Sequence, residues 1–209
     1  NTKPKPPERA VFCYTGRMEK NVIVVAGPTG SGKDAIIQEL IKRYPKIVFA
    51  LIAVTRAPRP GEIDGLHYHF MTNEQFVEEM ANGNIPEHYL RKSINAYYGL
   101  YKPELDARLA EGKIVAFQIQ IMGARYLKEH YNATTFFVMP KSMEEFEHRV
   151  RGRAPMSDAE WQERKEFTER EINEESAFYD HIIKNEEGRL EHSVDQVVEI
   201  LRKEGYVLE

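Results

Sequence analysis

Four runs of consecutive apolar residues stand out in the hydrophobic pattern and predict the buried strands of a sheet. The first, Asn21–Ala26, is rich in β-branched residues and shows no polar alternation, which is typical of a strand covered on both faces. A shorter run near the C-terminus, His181–Lys184, predicts one more strand. The other long runs are 47–54, 114–121 and 134–139.

Segments with helical periodicity separate these runs, and residues that start or stop helices stand at their ends. Ser142, Ser157 and Ser193 are placed to cap three N-termini, whereas Gly83 and Gly112 are placed to end two helices. Because strands and helices alternate, the pattern predicts a three-layer α/β fold with a parallel core sheet and right-handed crossovers. The predicted helices are 35–44, 73–82, 103–111, 124–130, 143–150, 158–178 and 194–203, and short strands are predicted at 68–70 and as a pair within 89–98.

A glycine-rich loop joins the first strand to the first helix, which is the context of a phosphate-binding loop. Its glycines let the backbone curl so that successive N–H groups point at one centre, which the positive end of the helix also faces. Lys33 adds a full charge for the terminal phosphates, but Asp34 stands where the motif has Ser or Thr to hold magnesium. The residues expected to hold the nucleotide are Gly27, Thr29, Gly30, Ser31, Gly32, Lys33 and Asp34.

Composition and charge narrow the classes of partner. The chain has 209 residues, 42% apolar and 30% charged, with a net charge of −4, so we expect neither general nucleic-acid binding nor attraction to membranes. The single cysteine, Cys13, favours a reducing compartment. No apolar run is long enough to span a membrane and no signal peptide is evident, so we predict a cytoplasmic protein. The proline-rich segment 1–20 predicts a flexible N-terminal arm.

A stiff turn with two arginines follows the second apolar run. Arg56 and Arg59 stand three residues apart in Arg-Ala-Pro-Arg-Pro-Gly, and arginine forks suit phosphate oxygens better than lysine does. Tyr68 and Tyr98 could add hydroxyl donors. The alternative is a solvated basic turn paired with nearby carboxylates, but the neighbouring phosphate loop favours a second phosphate site.

A further group of arginines begins near position 149. Arg149 and Arg153 lie four residues apart on one helix face, and Arg164 lies on the next predicted helix. Phosphoryl transfer needs cations that arrive over the departing charge and exclude water, which these residues could provide. Spacing alone, however, favours an ordinary charged surface helix, because many glutamates lie nearby.

Together these motifs resemble the guanylate kinases. The resemblance rests on the loop, the arginine-proline turn, Tyr97-Tyr98-Gly99 and the later arginines, which follow that family's order over about 21–201. It implies phosphoryl transfer from ATP to a nucleoside monophosphate, with GMP as the first candidate. It also implies the layout of a P-loop kinase, with a parallel-sheet core, a small acceptor-binding α+β subdomain and a helical lid.

The resemblance further implies roles for single residues. The acceptor phosphate would be held by Arg56, Arg59, Tyr68 and Tyr98, and the reacting phosphoryl group by Lys33, Arg149, Arg153 and Arg164. Glu87 matches a carboxylate that reads the guanine N–H edge, although two extra residues lie between it and Tyr98. Asn185 matches a contact on the adenine side.

Several positions depart from the family pattern. The family has a hydroxyl residue at Asp34, an Asp-x-Asp pair at Gln118 and Gln120, and Ser or Thr at Leu100. It also has Ser where we align Ile52 or Ala53. Gln118 and Gln120 remain candidates for substrate binding. Since Mg²⁺ is bound through one or two carboxylates, we hypothesise that Asp34 supports the metal and replaces the charge lost at Gln118.

Three functions remain open on the sequence. The first is a GMP kinase with ATP and Mg²⁺ as cofactors. The second is a kinase for ribose 1,5-bisphosphate or another non-guanine phosphomonoester, because the Gly-Lys-Asp ending also resembles ribose 1,5-bisphosphate phosphokinases. The third is a non-catalytic binding module, which the intact loop disfavours. We expect a monomer or homodimer with a guanylate kinase-like domain at 21–209, divided into core 21–51, 101–148 and 179–209, acceptor-binding subdomain 52–100 and lid 149–178.

Overall fold

The computed structural model describes residues 20–152 and 156–209, with the backbone alone at position 93. The predicted arm, apart from Lys20, and the candidate Arg153 lie outside the described residues. The strands are β1 Val22–Ala26, β2 Ile47–Phe49, β3 Ala53–Val54, β4 His69–Phe70, β5 His88–Arg91, β6 Ala96–Gly99, β7 Ile114–Phe117, β8 Thr134–Pro140 and β9 His181–Asn185. The helices are α1 Lys33–Arg43, α2 Asn73–Ala81, α3 Lys102–Ala110, α4 Ile121–Tyr131, α5 Met143–Arg151, α6 Asp158–Glu175 and α7 Leu190–Lys203.

A five-stranded parallel sheet in the order β2-β7-β1-β8-β9 forms the centre of the molecule. One face packs on α1 and α7 through residues such as Ile36, Leu40 and Val197. The other face packs on α3 and α4 through residues such as Leu105 and Leu127. Strand β1 is buried along its whole length, as its unbroken apolar pattern predicts. These observations confirm the predicted three-layer α/β fold.

The second apolar run is divided between two sheets rather than forming one strand. Strand β2 ends at Phe49, and the chain then crosses to a smaller four-stranded sheet in the order β4-β3-β6-β5. Hydrogen bonds continue on both sides of the crossing, from Ala50 N to Ala116 O and from His69 N to Ile52 O. The prediction of a single strand over 47–54 is therefore wrong, because an apolar run does not reveal which sheet its backbone joins.

The third apolar run also ends earlier than its pattern predicts. Strand β7 stops at Phe117, and α4 begins at Ile121 with Ala124 N donating to Gln120 O. Gln118 and Gln120 therefore lie at the carboxyl edge of the parallel sheet, where folds of this kind bind ligands.

Ser193 does not cap the last helix, contrary to the sequence-based expectation. Helix α7 begins at Leu190, and Ser193 is a buried residue of its first turn. Its hydroxyl donates to Asn185 Oδ1 at 2.9 Å, and Asn185 Nδ2 donates to Ser31 O at 2.8 Å. The serine thus connects α7, β9 and the glycine loop.

The small sheet has one face covered by α2 and one face turned toward the core domain. Phe76 of α2 is fully buried against Ala53 and Ile85. On the opposite face Val54, Ala96 and Tyr98 pack together.

Among the described residues, no helix is both long enough and apolar enough to cross a membrane.

We predict that Ser193→Ala lowers the free energy of unfolding by about 1–3 kcal/mol, because it leaves the buried Asn185 Oδ1 without its donor. Urea unfolding followed by circular dichroism measures this change. The control is His192→Ala, which changes an exposed residue of the same turn. Its free energy of unfolding should stay within about 0.5 kcal/mol of that of the parent. Equal effects of the two substitutions would contradict the connecting role of Ser193.

Candidate active site

The glycine loop has a backbone that side chains would not permit. Gly27, Gly30 and Gly32 have φ angles of +135°, +104° and +93°. A Cβ on Gly27 would overlap the carbonyl oxygen of Val138, so the loop lies directly against β8. Helix α1 starts at Lys33 with no side-chain cap at its N-terminus. Its first N–H groups are therefore placed to bind an anion.

Lys33 is the buried cation of this loop. It is only 8% exposed, and its Nζ lies 3.3 Å from the carbonyl oxygen of Pro28. An ammonium group held beside the loop glycines and the start of α1 places a full positive charge where phosphate oxygens would bind. Asp34, one residue later, is exposed on the first turn of α1, and its side chain makes no hydrogen bond or ion pair within 20–152 and 156–209.

Arg149 of α5 and Arg164 of α6 contact the glycine loop. Arg149 of α5 donates to Ser31 O at 3.3 Å and to Asn185 O at 2.7 Å, and it pairs with Glu145. Arg164 of α6 donates to Thr29 O at 3.2 Å. The guanidinium groups of both residues therefore lie on the phosphate loop, while Arg149 also keeps a glutamate partner of the kind expected for a charged surface helix.

The arginine-proline turn forms a second cationic site at the end of β3. Arg56 makes a bidentate pair with Glu62, at 2.5 and 2.8 Å, and donates from Nε to Tyr98 Oη at 3.1 Å. Its guanidinium also lies 4.9 Å from the ring centre of Tyr68. Hydrogen bonding by Arg56 lowers the pKa of Glu62 to about 2, so this carboxylate stays charged. Arg59 is exposed, and its side chain donates no hydrogen bond within the described residues.

An aromatic wall continues this site along the small sheet. Tyr89 of β5 stacks on Tyr98 of β6 with ring centres 5.4 Å apart, and Tyr68 packs edge-on at 6.5 Å. Burial raises the pKa of Tyr89, so its hydroxyl remains a neutral donor. The wall holds hydroxyl groups beside the arginines.

Glu87 is a partly buried carboxylate between the small sheet and α4. Its backbone carbonyl accepts from Leu100 N at 3.0 Å, and its Oε2 would lie 3.0 Å from a Cβ on Gly123. Among the described residues no donor is hydrogen-bonded to the carboxylate. Burial raises the pKa of Glu87 to about 7. The carboxylate is therefore partly buried without a donor among the described residues, although it does not itself line the cleft.

One cleft of about 1200 Å³ brings most of the predicted residues together. On the other side of the loop lies a smaller depression of about 240 Å³. Ser31, Asp34 and Glu87 line neither. The predicted residues in the large cleft are Gly27, Thr29, Lys33, Arg56, Arg59, Tyr68, Tyr98, Gln118, Gln120 and Arg164, and those in the small depression are Gly30, Gly32, Arg149 and Asn185.

Comparison with known proteins agrees with this geometry. The family model for guanylate kinase matches residues 19–204. The chain belongs to the guanylate kinase family. A guanylate kinase of Desulfitobacterium hafniense is 35% identical over 90% of this chain and 93% of its own length. A guanylate kinase of Clostridium perfringens is 35% identical over 88% of this chain and 83% of its own.

A solved structure leads to the same family. The crystal structure of guanylate kinase from Anaplasma phagocytophilum has a TM-score of 0.64 and 25% identity, with 90% of this chain and 87% of that chain covered. The protein is therefore a kinase with a nucleotide-binding P-loop. The findings support neither the ribose 1,5-bisphosphate alternative nor the non-catalytic one.

The departures from the guanylate kinase pattern are spread over the loop helix, the core and the cleft, since Asp34 lies on the first turn of α1. Leu100 is fully buried in the core with Phe117 and does not line the cleft. Ile52 and Gln120 do line it. The substitutions at Ile52 and Gln120 therefore change the lining of the cleft, while the loop glycines and Lys33 are present.

Sequence reasoning missed several residues that line the cleft. Tyr89 and Arg91 alternate on β5 and face the cleft, a fact that the register of the predicted strand pair with Tyr98 could have indicated. Glu171 and Glu175 of α6 line the opposite wall, and burial raises the pKa of both. No sequence signal separated these two carboxylates from the many exposed glutamates of the same helix.

We predict that Glu87→Gln stabilises the empty protein at pH 8 but not at pH 4.5. Folding raises the pKa of Glu87 from 4.5 to about 7, so the folded state binds the proton more tightly than the unfolded state. The resulting destabilisation is absent below about pH 4.5 and complete above about pH 7. Allowing for partial exposure, about 1 kcal/mol is expected, or a gain in Tm of about 2–4 °C.

Thermal unfolding of both proteins across this pH range measures the difference. Glu78→Gln, on the exposed side of α2, is the matched control and should show no such dependence. A Tm gain for Glu87→Gln that does not change with pH would contradict the burial of an ionisable group.

Proposed function

We propose that the protein transfers the terminal phosphoryl group of ATP to GMP, producing ADP and GDP. The observation that carries this proposal is that Lys33 of the phosphate loop lines the same cleft as Arg59 and Tyr98 of the second cationic site. Two anion sites on one cleft suit a reaction that joins two phosphorylated substrates. Membership in the guanylate kinase family supports GMP as the acceptor.

The donor side would act by position and charge, which provide most of the catalysis in phosphoryl transfer. The N–H groups at the start of α1 and Lys33 bind the phosphates of ATP, and Asn185 lies on the adenine side. Arg149 and Arg164 now bind loop carbonyls and would turn to the transferring group as the lid, 149–178, closes over the core. Arg153 is assigned to the same set by the family pattern alone.

The acceptor side would hold GMP at both ends. Arg56, Arg59, Tyr68 and Tyr98 bind its phosphate as the acceptor-binding subdomain, 52–100, approaches the core. Glu87 accepts the N–H donors of the guanine edge, and binding of these donors favours its ionised form. Gln118 and Gln120 offer amide groups at the edge of the core sheet beside the base and phosphates.

The available oxygen donors fit a magnesium ion that is held mainly by the nucleotide. Among the described residues no group of three His, Cys, Asp or Glu side chains could hold a metal alone. Magnesium bound to ATP needs only one or two protein oxygens, which Asp34 and Gln118 can supply directly or through water. When bound, the ion neutralises charge on the phosphates during transfer.

We predict that GDP forms from GMP with a kcat/KM at least about 100-fold above that for AMP, since adenine lacks the adjacent N1–H and 2-amino donors that the partly buried Glu87 can accept. A coupled assay of ADP release with GMP, dGMP, AMP, CMP and UMP measures this preference. Equal use of AMP and GMP would contradict the proposal, as would a lack of turnover with every acceptor.

In the same assay, Arg59→Ala should raise KM for GMP about ten-fold or more with little change in KM for ATP.

We predict that Asp34→Ser and Gln118→Asp compensate each other. Asp34→Ser should weaken the Mg²⁺-dependent part of ATP binding, and adding Gln118→Asp should restore most of it, because a carboxylate is returned to the site. Calorimetric ATP titrations with and without Mg²⁺ measure this independently of activity. Stronger Mg²⁺-dependent binding or higher activity in Asp34→Ser alone would contradict the role of Asp34.

A further inference from the structure

We propose that Arg91 is a further acceptor-binding residue, which contacts the acceptor phosphate together with Arg59. The inference rests on the proposed function, because it concerns the acceptor of the same reaction. It names a residue outside the four that the family motifs assign to this phosphate.

The register of the small sheet places Arg91 on the cleft face. In β5, Tyr89 pairs with Tyr98 and Arg91 pairs with Ala96, so Tyr89 and Arg91 project from the same side of the sheet. Tyr89 stacks on Tyr98, whose hydroxyl accepts from Arg56. Arg91 therefore flanks the aromatic wall on one side of β6, while Arg56 reaches it from the other side.

Arg91 is available for an incoming anion, whereas Arg56 is largely committed. Both oxygens of Glu62 accept from Arg56, so this pair carries no net charge. Arg59 and Arg91 are exposed, line the cleft and donate no hydrogen bond from their side chains within the described residues. They provide the uncompensated positive charge of this wall.

The charge of the pair matches that of the ligand. A phosphomonoester carries about −1.5 to −2 at neutral pH, because its second pKa is about 6. Arg59 and Arg91 together supply two positive charges and forked donors for its oxygens. Among the described cleft-lining residues of 52–100, the permanently charged ones are Arg56, Arg59 and Arg91.

The test compares Arg91→Ala and Arg91→Lys with the parent enzyme in steady-state kinetics with GMP. Arg91→Ala should raise KM for GMP about ten-fold or more, with kcat and KM for ATP within two-fold. Arg91→Lys keeps the charge but loses the fork, so its KM should lie between those of the parent and the alanine variant. Lys92→Ala removes a neighbouring charge that does not line the cleft and should leave KM for GMP within two-fold.

Equilibrium titrations with GMP and with guanosine locate the contact. Arg91→Ala should weaken GMP binding about ten-fold and leave guanosine binding unchanged, because only GMP carries the phosphate. A KM for GMP equal to that of Lys92→Ala, or an equal loss of guanosine binding, would overturn the assignment.

The outcomes also separate this inference from the proposed function. If the parent phosphorylates another nucleoside monophosphate instead of GMP, the proposed acceptor is wrong, and Arg91→Ala should still raise KM for the true acceptor. If the parent uses GMP and Arg91→Ala does not change its KM, the function stands and the inference about Arg91 fails. If the parent binds no nucleoside monophosphate, both fail.

Discussion

The carbonyl group of Ser31 joins the glycine loop to the end of β9 and to helix α5. It accepts hydrogen bonds from Asn185 Nδ2 at 2.8 Å and from Arg149 at 3.3 Å. Through these contacts the loop after β1, the end of β9 and helix α5 are held in one arrangement. The loop can accept this packing only because Gly27 and Gly32 lack side chains, since a Cβ on Gly32 would overlap the Asn185 amide. The position of Lys33 in turn depends on the loop.

The donor side could be predicted from the sequence because its chemistry is local. The strand, glycine turn and helix that place Lys33 are consecutive in the chain, and parallel strands deliver Gln118 to the same edge. The layers of the core were likewise predicted by alternation of apolar strands with helices. The role of Ser193 was not predicted. In the sequence it looks like the N-cap of a helix, whereas in the structure it lies in the first turn of α7. Its partner, Asn185, becomes visible only when β9 and α7 are packed.

The acceptor side was harder to predict because it depends on which face a residue occupies in short strands. The motif indicated Arg56, Arg59, Tyr68 and Tyr98, and all four line the cleft. Pairing of the turn with a nearby carboxylate was considered as an alternative and occurs between Arg56 and Glu62, whereas the motif did not indicate that Arg91 would face the same space. A shift of one residue in the pairing of β5 with β6 would turn Arg91 to the other face. The predicted strand pair therefore indicates the face of Arg91 only once its register is known, and in the structure Tyr89 lies opposite Tyr98 and stacks on it.

The way in which the chain crosses between its two sheets determines where residues can be inserted or deleted. The small sheet is entered through β3 and left through β6, and Ala53 pairs directly with Gly99. Entry and exit are thus about 5 Å apart, the spacing of neighbouring strands. A segment whose ends already meet can gain or lose residues at its far edge with little extra loop-closure entropy. Changes of length between β5 and β6 can therefore be accommodated without disturbing the glycine loop, which lies on the other sheet.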